Sequence, residues 1–496
     1  MKSGVCDVKF ISGENRHQMI LMPDSIDEYV DDSNSVRVIE AYIDSLDLAE
    51  LGFTKPQPND TGRPMYNPKD LLKLYLYGYM NKIRSSRRLE TETKRNLEVI
   101  WLLRKLSPDH KTIARFRCDN TAALKNVFRD FVKLCIKLNL YGRELIAVDG
   151  SKFKAVNSKD RNFGAKKLEE RITRIDVKIE EYLRELEDSD SAENTSDGEK
   201  SSEEIAKIIT ELAARKELYM SYAVELNQTG ALQKSLTDPD SRLMMANGKM
   251  DVCYNVQTAV DEKNKLIVEF EVTNVVVDKN QLSEMANQAA EILEKDELTA
   301  VADKGYDSAS DIVECLRNGI SAHVAGAEMD VCIPADESQA EMILTHTNGR
   351  TVYIPERNIA ICPMGKVLYP SHYIKRVRKA AYSNYSACKH CTCRCTKGRM
   401  MRFETDIPEA SFTKGYDDKD LFLKQFHVRP DRNLVKFRKS IVEHPFGTIK
   451  RNMDAGYCLM KGLEKVSGEF SLAFLAYNLK RVINIMGVQK LIKCRS

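Results

Sequence analysis

No run of about 18 apolar residues occurs in this sequence, so no membrane-spanning helix is expected. The first segment, MKSGVCDVKFISGENRHQ, has no apolar core long enough for a signal peptide. Net charge is also nearly absent: 76 Lys and Arg stand against 73 Asp and Glu, a balance of +3. Nor is the chain poor enough in apolar residues to be disordered, since 43% hydrophobic and 30% charged residues is a normal globular balance. Thirteen cysteines, an odd number and mostly scattered, suit a reduced cytoplasmic protein better than a disulfide framework. A chain of 496 residues has room for two or three domains, each with its own core.

Near-neutrality would argue against a nucleic-acid partner only if the charge were evenly spread, and it is not. Acids crowd Glu185 to Glu204, whereas bases crowd Tyr373 to Lys379, Cys393 to Arg402, and Lys424 through Arg451. Such segregation leaves basic faces for phosphate on a nearly neutral protein.

Residues Val36 to Leu140 read as helices. Leu71, Leu72, Leu74, Tyr75, Tyr79 and Ile83 recur at helical spacing behind Asn67 as N-cap and Pro68 at the first helical position. A second start at SPDHKTIARFR, with Lys111, Arg115 and Arg117 expected to be exposed, fits either a helix-turn-helix or a plain helical bundle. The pattern then changes. Leu145 to Val148 form a continuous apolar run, suited to a strand buried on both faces. Two charged helical segments, Lys166 to Leu186 and Glu203 to Leu226, flank the acidic Ser-rich tract as an inserted hairpin. Strand signals return at DVCYNVQTAV and KLIVEFEVTN, a β-hairpin, followed by helix, strand (LTAVADKGY), helix and strand (ISAHVAG). The expected class is α/β, with a mixed sheet and flanking helices behind an all-α N-terminal region.

Three acids merit attention. Asp149 in LIAVDGSK and Asp303 in LTAVADKGY each follow a buried-looking strand; alone, each reads most simply as a turn or strand terminator. Placed together at the ends of strands in one sheet, they lie where ligands of open α/β sheets bind. Two such carboxylates repel one another unless a cation sits between them, and hard cations such as Mg²⁺ are commonly held this way beside a phosphate. Glu443, in SIVEHPFGTIKRNM, is either a solvated acid paired with Lys439 or Lys450 or the third ligand of a two-metal site. Pro445 disfavours helix at His444, which marks a helix start or a kink; a start there would put Glu443 at a helix N-terminus.

AVDGSKFKAVNSKDRN, YNVQTAVDEKNKLIVEFEVTN, VADKGYDS and IVEHPFGTIKRNM, in this order, resemble the DDE transposases of bacterial insertion sequences. The branch meant has a helical insertion after the first Asp and a Cys-containing insertion before the Glu. The upstream GRPMYNPKDLLKLYLYGYMNKIRSSRRLE and LSPDHKTIARFR resemble that branch's N-terminal region, so the likeness spans roughly Arg63 to Met486. The resemblance implies an RNase H-like core with Asp149, Asp303 and Glu443 as catalytic and metal-binding triad, holding two Mg²⁺ or Mn²⁺ ions. It implies cleavage at terminal inverted repeats and strand transfer into target DNA, by a homodimer at the synapsis of two ends, in the cytoplasm on the nucleoid. The expected domains are a helical DNA-binding region at 1–140, a catalytic core at 141–330 and 411–496 carrying an inserted hairpin at 165–228, and a Cys-rich insertion at 331–410.

Lys152, Lys154, Lys450 and Arg451 flank the acids and are expected phosphate contacts. The family's Tyr-Arg-Glu-Lys pattern is matched at Lys450, seven residues after the acid. Lys439 stands in the Arg position with Arg438 beside it, and Lys436 in the Tyr position. In the insertion, Cys362, Cys388, Cys391 and Cys395 have the ligand types of a structural Zn²⁺ site, with His390 and Cys393 as spares. The first knuckle, Cys362-Pro-Met-Gly, lacks the second cysteine of a regular ribbon, and reduced thiols are the other reading. Two other functions remain open: a metal-dependent nuclease that cuts without joining, and a non-catalytic DNA-binding relic of the same fold.

Overall fold

The computed structural model describes residues 25–53, 65–191, 202–230, 232–246, 248–327, 329–334, 343–345, 351–354, 357–362, 366–377, 379–389, 400–402, 409–412, 415–416 and 423–494. The acidic tract at 192–201 and the cysteines Cys391, Cys393 and Cys395 lie outside these residues.

The N-terminal region is helical: α1 (Val36–Asp44), α2 (Pro68–Met80), α3 (Ser86–Arg95), α4 (Leu97–Leu102), α5 (His110–Asp119) and α6 (Thr121–Lys137). Helix α2 starts where its cap chemistry dictates. The Asn67 side chain accepts from Lys69 N at 2.9 Å, and Pro68 occupies the first turn, where no N–H is needed. Its side chains are buried from Asp70 to Met80, and a Cβ at Gly78 would lie 2.4 Å from Ile83 O, so only glycine lets the chain turn back here. Two charged groups enter that core with partners: Lys73 with Asp44 at 2.8 Å, and Asp70 with Arg104 at 3.0 Å. Arg117, expected to be exposed, is buried instead. It donates to Tyr79 Oη at 3.1 Å and lies 5.3 Å from the Tyr75 ring centroid, so α2 supplies a cation-binding aromatic face. Lys111 and Arg115 remain exposed.

Beyond α6 runs β1 (Leu145–Lys154), then β2 (Asn162–Gly164), the hairpin α7 (Ala165–Ser191) and α8 (Ser202–Thr229), and β3 (Gln233–Ser235), which pairs with β2. The sheet continues with β4 (Arg242–Ala246), β5 (Lys249–Asp261), β6 (Ile267–Thr273), α9 (Leu282–Leu293), β7 (Leu298–Ala302), α10 (Ala309–Arg317) and β8 (Ile320–Val324). Strand β1 pairs antiparallel with β5 and parallel with β7, and β7 pairs parallel with β8. On its far edge β5 carries β4 beside its first residues and β6 beside the rest. The result is the expected mixed sheet with an antiparallel and a parallel side.

The insertion begins and ends as an antiparallel pair, β9 (Met329–Pro334) with β16 (Leu423–Val428). Between them a second sheet is built from β10 (Ile343–Thr345), β11 (Thr351–Ile354), β12 (Ile359–Ile361), β13 (Val367–Ile374), β14 (Lys379–Ser383) and β15 (Met400–Arg402), with short helices α11 (Tyr385–Lys389) and α12 (Glu409–Phe412). It has a small core of its own around Tyr353, Leu368, Tyr382 and Phe412. The chain closes with α13 (Arg432–Gly447), α14 (Leu463–Met486) and α15 (Val488–Lys493). No described helix is long and apolar enough to cross a membrane.

Helices and sheet are not separate bodies. One hydrophobic cluster runs from Val30 in the helical region through β1, β5, β6 and β7 to Leu491. Phe128 of α6 meets Phe270 of β6 edge-on at 5.2 Å, and Phe270 meets Phe474 of α14 at 4.7 Å. Each such ring buried from water contributes about 1.5–3 kcal/mol. Charged contacts follow the same route: the partly exposed Arg129 of α6 reaches buried Glu269 of β6 at 2.7 Å, and Arg84 reaches Glu469 of α14 at 2.7 Å, these last two side chains nearly inaccessible.

Candidate active site

Asp149 sits inside a strand, not at its end. Pairing of β1 with β7 stops at Ala147–Val301, but β1 runs on to Lys154 against β5, with Asp149 opposite Thr258 and Gly150 opposite Gln257. Asp149-Gly150 is therefore no turn. The glycine is there because the side of β1 opposite to Asp149 is crowded: a Cβ on Gly150 would stand 2.4 Å from Gln257 Nε2 and 2.6 Å from Asp278 Oδ1. Asp303 does terminate its strand. It caps the short 3-10 helix Lys304–Tyr306, accepting from Gly305 N at 2.7 Å.

Asp149 and Asp303 each lie two residues beyond the last rung their parallel strands share, and period-2 alternation turns both toward the same face of the sheet. Their proximity marks the electrostatics. Burial pushes the Asp149 carboxyl up to about 6, the Arg438 guanidinium opposes this, and the charges of Asp303 and Asp278 add to the rise. Ser151 and Phe153 share that face of β1, and there α13 and the turn after it pack: Phe153 lies 6.1 Å from Phe446 and beneath the Lys450 ammonium at 4.4 Å.

Helix α13 carries the third acid, though not at an N-terminus. The helix begins at Arg432, where Asp431 accepts from Asn433 N at 2.7 Å and Leu434 N at 3.4 Å, and Glu443 lies well inside it. Pro445 does not start the helix. It is accommodated within, and the chain then widens into a π-helical turn at Thr448–Asn452. Ile441, Val442, Pro445, Phe446 and Ile449 form the buried face, while Glu443 is exposed and makes no hydrogen bond or ion pair with the described residues. The expected ties to Lys439 or Lys450 are thus not formed. Among the described residues no three acids, histidines or cysteines converge tightly enough to form a metal cage. The structure brings Asp149 and Asp303 together and sets the helix bearing Glu443 against their two strands.

The basic candidates divide into two groups. Arg438 Nη1 lies 3.3 Å from Asp149 Oδ1, Lys152 Nζ is 2.8 Å from Asp278, and Lys450 Nζ donates to Ser151 Oγ at 2.5 Å and to Lys152 O at 3.1 Å. Burial pushes the Lys450 amine down. Lys439 and Arg451 are exposed, and Lys154 is more than half exposed with Asp251 3.5 Å away. His444 is a structural neighbour. Nδ1 is 2.9 Å from Tyr477 Oη, which donates to Lys265 O, so Nδ1 carries the proton and Nε2 accepts from Arg481 at 3.1 Å.

Sequence reasoning missed Asp278, which follows β6. Its Oδ1 accepts from Lys152, Asn255 and Gln257, each at 2.8 Å, and Gln257 in turn accepts from Tyr306 Oη. The one signal available was its place, an acid just past the second hairpin strand.

Two segments of the chain match known families: residues 24–119 match the Transposase domain (DUF772), and residues 361–483 match the Transposase DDE domain. Glu443 falls inside the second segment, whereas Asp149 and Asp303 lie between the two. No curated protein matches the sequence. Among solved structures, the cryo-EM structure of the piggyBac transposase synaptic complex with hairpin DNA covers 93% of this chain and 78% of its own at 8% identity, with a TM-score of 0.28, too low to carry a fold argument. The two matched segments, one over the first helices and one over the helix that bears Glu443, are both transposase domains and support an insertion-sequence DDE transposase.

Proposed function

We propose that the protein binds the terminal inverted repeats of its element, cuts the phosphodiester there and joins the freed end to target DNA, with Asp149, Asp303 and Glu443 as the acting acids. The observation that carries this reading is the placement of Asp149 and Asp303 past the shared rung of two parallel strands, on the face that receives α13. The strand order β6-β5-β1-β7-β8 supports an RNase H-like core.

The donor set suits a hard divalent cation: these are carboxylate oxygens, and burial with neighbouring negative charge leaves Asp149 short of positive charge. Mg²⁺ or Mn²⁺, two ions in the full site, would be held by Asp149 and Asp303, with Glu443 contributed by α13. Bound there, such ions lower the barrier for attack at phosphorus by neutralising charge on the attacking and leaving oxygens. The protein's own residues orient the acids and gather phosphate. Gly305 N fixes the Asp303 carboxylate, Gly150 N donates to Asp149 Oδ1 at 3.1 Å, and the exposed Lys439 and Arg451, with Lys154 once it leaves Asp251, can meet the DNA backbone. Lys152, Arg438 and Lys450 are engaged internally and reach phosphate only by leaving these partners.

The helical region to residue 140, with Lys111 and Arg115 exposed on α5, is the segment proposed to read the repeats, and pairing of two ends calls for a homodimer working on the nucleoid. The insertion is proposed to hold a structural zinc. Cys362 Sγ accepts from Lys366 N at 3.3 Å, a contact suited to a thiolate, and Cys388 lies on α11; Cys391 and Cys395 would complete the set. Metal analysis of purified protein without zinc would remove that part.

The deciding experiment incubates purified protein with Mg²⁺ and DNA carrying the element's ends. Cleaved and joined products are expected, and both vanish in Asp149→Asn, Asp303→Asn and Glu443→Gln. Cleavage without joining identifies a nuclease, and binding without cleavage a DNA-binding relic.

A further inference from the structure

We propose that the loop Val275–Val277 is an apolar wedge that enters the base stack of DNA beside the acid pair; this rests on the transposase reading above. Single exposed apolar residues are ordinary on a protein surface. Three consecutive valines, 38%, 39% and 58% exposed, with polar Asn274 before them and Asp278, Lys279 and Asn280 after, are not.

The loop is neither remote nor loose. It leaves β6 at Thr273, which shares one rung with Asn255 of β5 and Lys152 of β1, three residues beyond Asp149 on the same strand. Since β6 and β1 both run antiparallel to β5, the loop emerges at the same edge of the sheet as the acids. Val275 N donates to Thr273 Oγ1 at 3.1 Å, and Val275 O accepts from Asn255 Nδ2 at 3.1 Å. At the other end Asp278 Oδ1 gathers three donors, each at 2.8 Å, against the bare backbone of Gly150. The loop is thus pinned at both ends, to Asn255 of β5 at its start and through Asp278 to β5 and to Lys152 of the strand that carries Asp149, and its tip has already lost much of the freedom it would otherwise lose on binding.

The occupant follows from this neighbourhood. DNA whose phosphodiester reaches Asp149 and Asp303 passes the same sheet edge, and exposed Lys279 offers a phosphate contact next to the valines. Apolar side chains placed at base steps unstack and kink them, and a strand freed from its stack beside the scissile bond can bend toward the acid pair.

The test uses the full-length protein, Mg²⁺ and duplex DNA carrying an element end, with 2-aminopurine next to the cleavage position. Val275→Ser, Val276→Ser and Val277→Ser are combined in one variant, and Val177→Ser on the distant α7 serves as control. The parent and the control are expected to raise the fluorescence on binding, and the triple variant is not. The variant should cut paired DNA roughly tenfold more slowly or worse, yet cut DNA mismatched at the same position at the parental rate. A triple variant that opens and cuts paired DNA like the parent overturns the proposal, as does one equally slow on both duplexes. A parent that opens the duplex without cutting it sinks the catalytic reading and leaves the wedge standing. A parent that does neither overturns both.

Discussion

The guanidinium of Arg438 stands 3.3 Å from Asp149 Oδ1, so an internal cation faces the first acid of the site. The pair is close but poorly aligned: Nη1 is buried and has no hydrogen-bond acceptor. A buried N–H left in that state costs about 1–3 kcal/mol, which keeps this contact weaker than its distance suggests. Arg438 of α13 reaches Asp149, while Lys439, in the family's arginine position, points to solvent.

On the proposed metal-binding role of Asp149, a divalent ion and this guanidinium would compete for one carboxylate. Arg438→Gln is expected to bind Mn²⁺ about tenfold more tightly than the parent at pH 8, from the loss of a like-charge repulsion worth a few kcal/mol near a protein surface. Electron paramagnetic resonance of free Mn²⁺ reads this directly, and an unchanged affinity would show that the arginine does not occupy the ion's place.

Stability without metal should depend on pH through Asp149. Its carboxyl is raised from 3.8 to about 6 in the folded chain, so the folded state favours the protonated form. That contribution is complete below 3.8 and is lost as pH rises through about 6, an effect of at most about 3 kcal/mol. Asp149→Asn does not titrate, so urea unfolding should find the variant gaining on the parent between pH 4 and pH 7.5. Millimolar Mg²⁺ should narrow the gap at the upper end.

Lys450→Met keeps an apolar stem over Phe153 but removes the ammonium that bonds Ser151 Oγ and Lys152 O. A loss of about 1–2 kcal/mol is expected in chemical denaturation. A neutral result would mean that the amine is free, as a phosphate ligand would be.

Glu469→Gln leaves Arg84 charged in a buried site where both partners are only 4% and 3% exposed, and should cost about 3–5 kcal/mol. Trp101, the sole tryptophan, reports on the helical region. Its fluorescence and the far-ultraviolet dichroism should lose structure at one denaturant concentration, because one core spans helices and sheet. Two separate transitions would show the helical region to be an independent domain.

What local sequence dictates was legible in advance. Asn67-Pro68 announced α2, the run Leu145–Val148 announced β1, and alternation announced the β5–β6 hairpin. The misreadings all involve distant partners. Asp149-Gly150 looked like a turn because nothing nearby in sequence shows that Asp278 needs the glycine's bare backbone. Arg117 looked like a solvent-facing base because its partners, Tyr75 and Tyr79, belong to another helix. Pro445 looked like a boundary, yet Asp431 sets the start of α13 and a widened turn absorbs the ring. The three acids were proposed from motif order, while the position of Glu443 relative to Asp149 depends on packing that no motif encodes.

Both inserted segments are attached by paired strands: β2 with β3 at the foot of the α7–α8 hairpin, and β9 with β16 at the foot of the second sheet. Each stalk closes on itself before the chain re-enters the central sheet, so neither interrupts the rungs that align Asp149 with Asp303. The architecture therefore behaves as a chassis with two sockets. Whatever is plugged in can be lengthened, shortened or exchanged, and the alignment of Asp149 with Asp303 does not change.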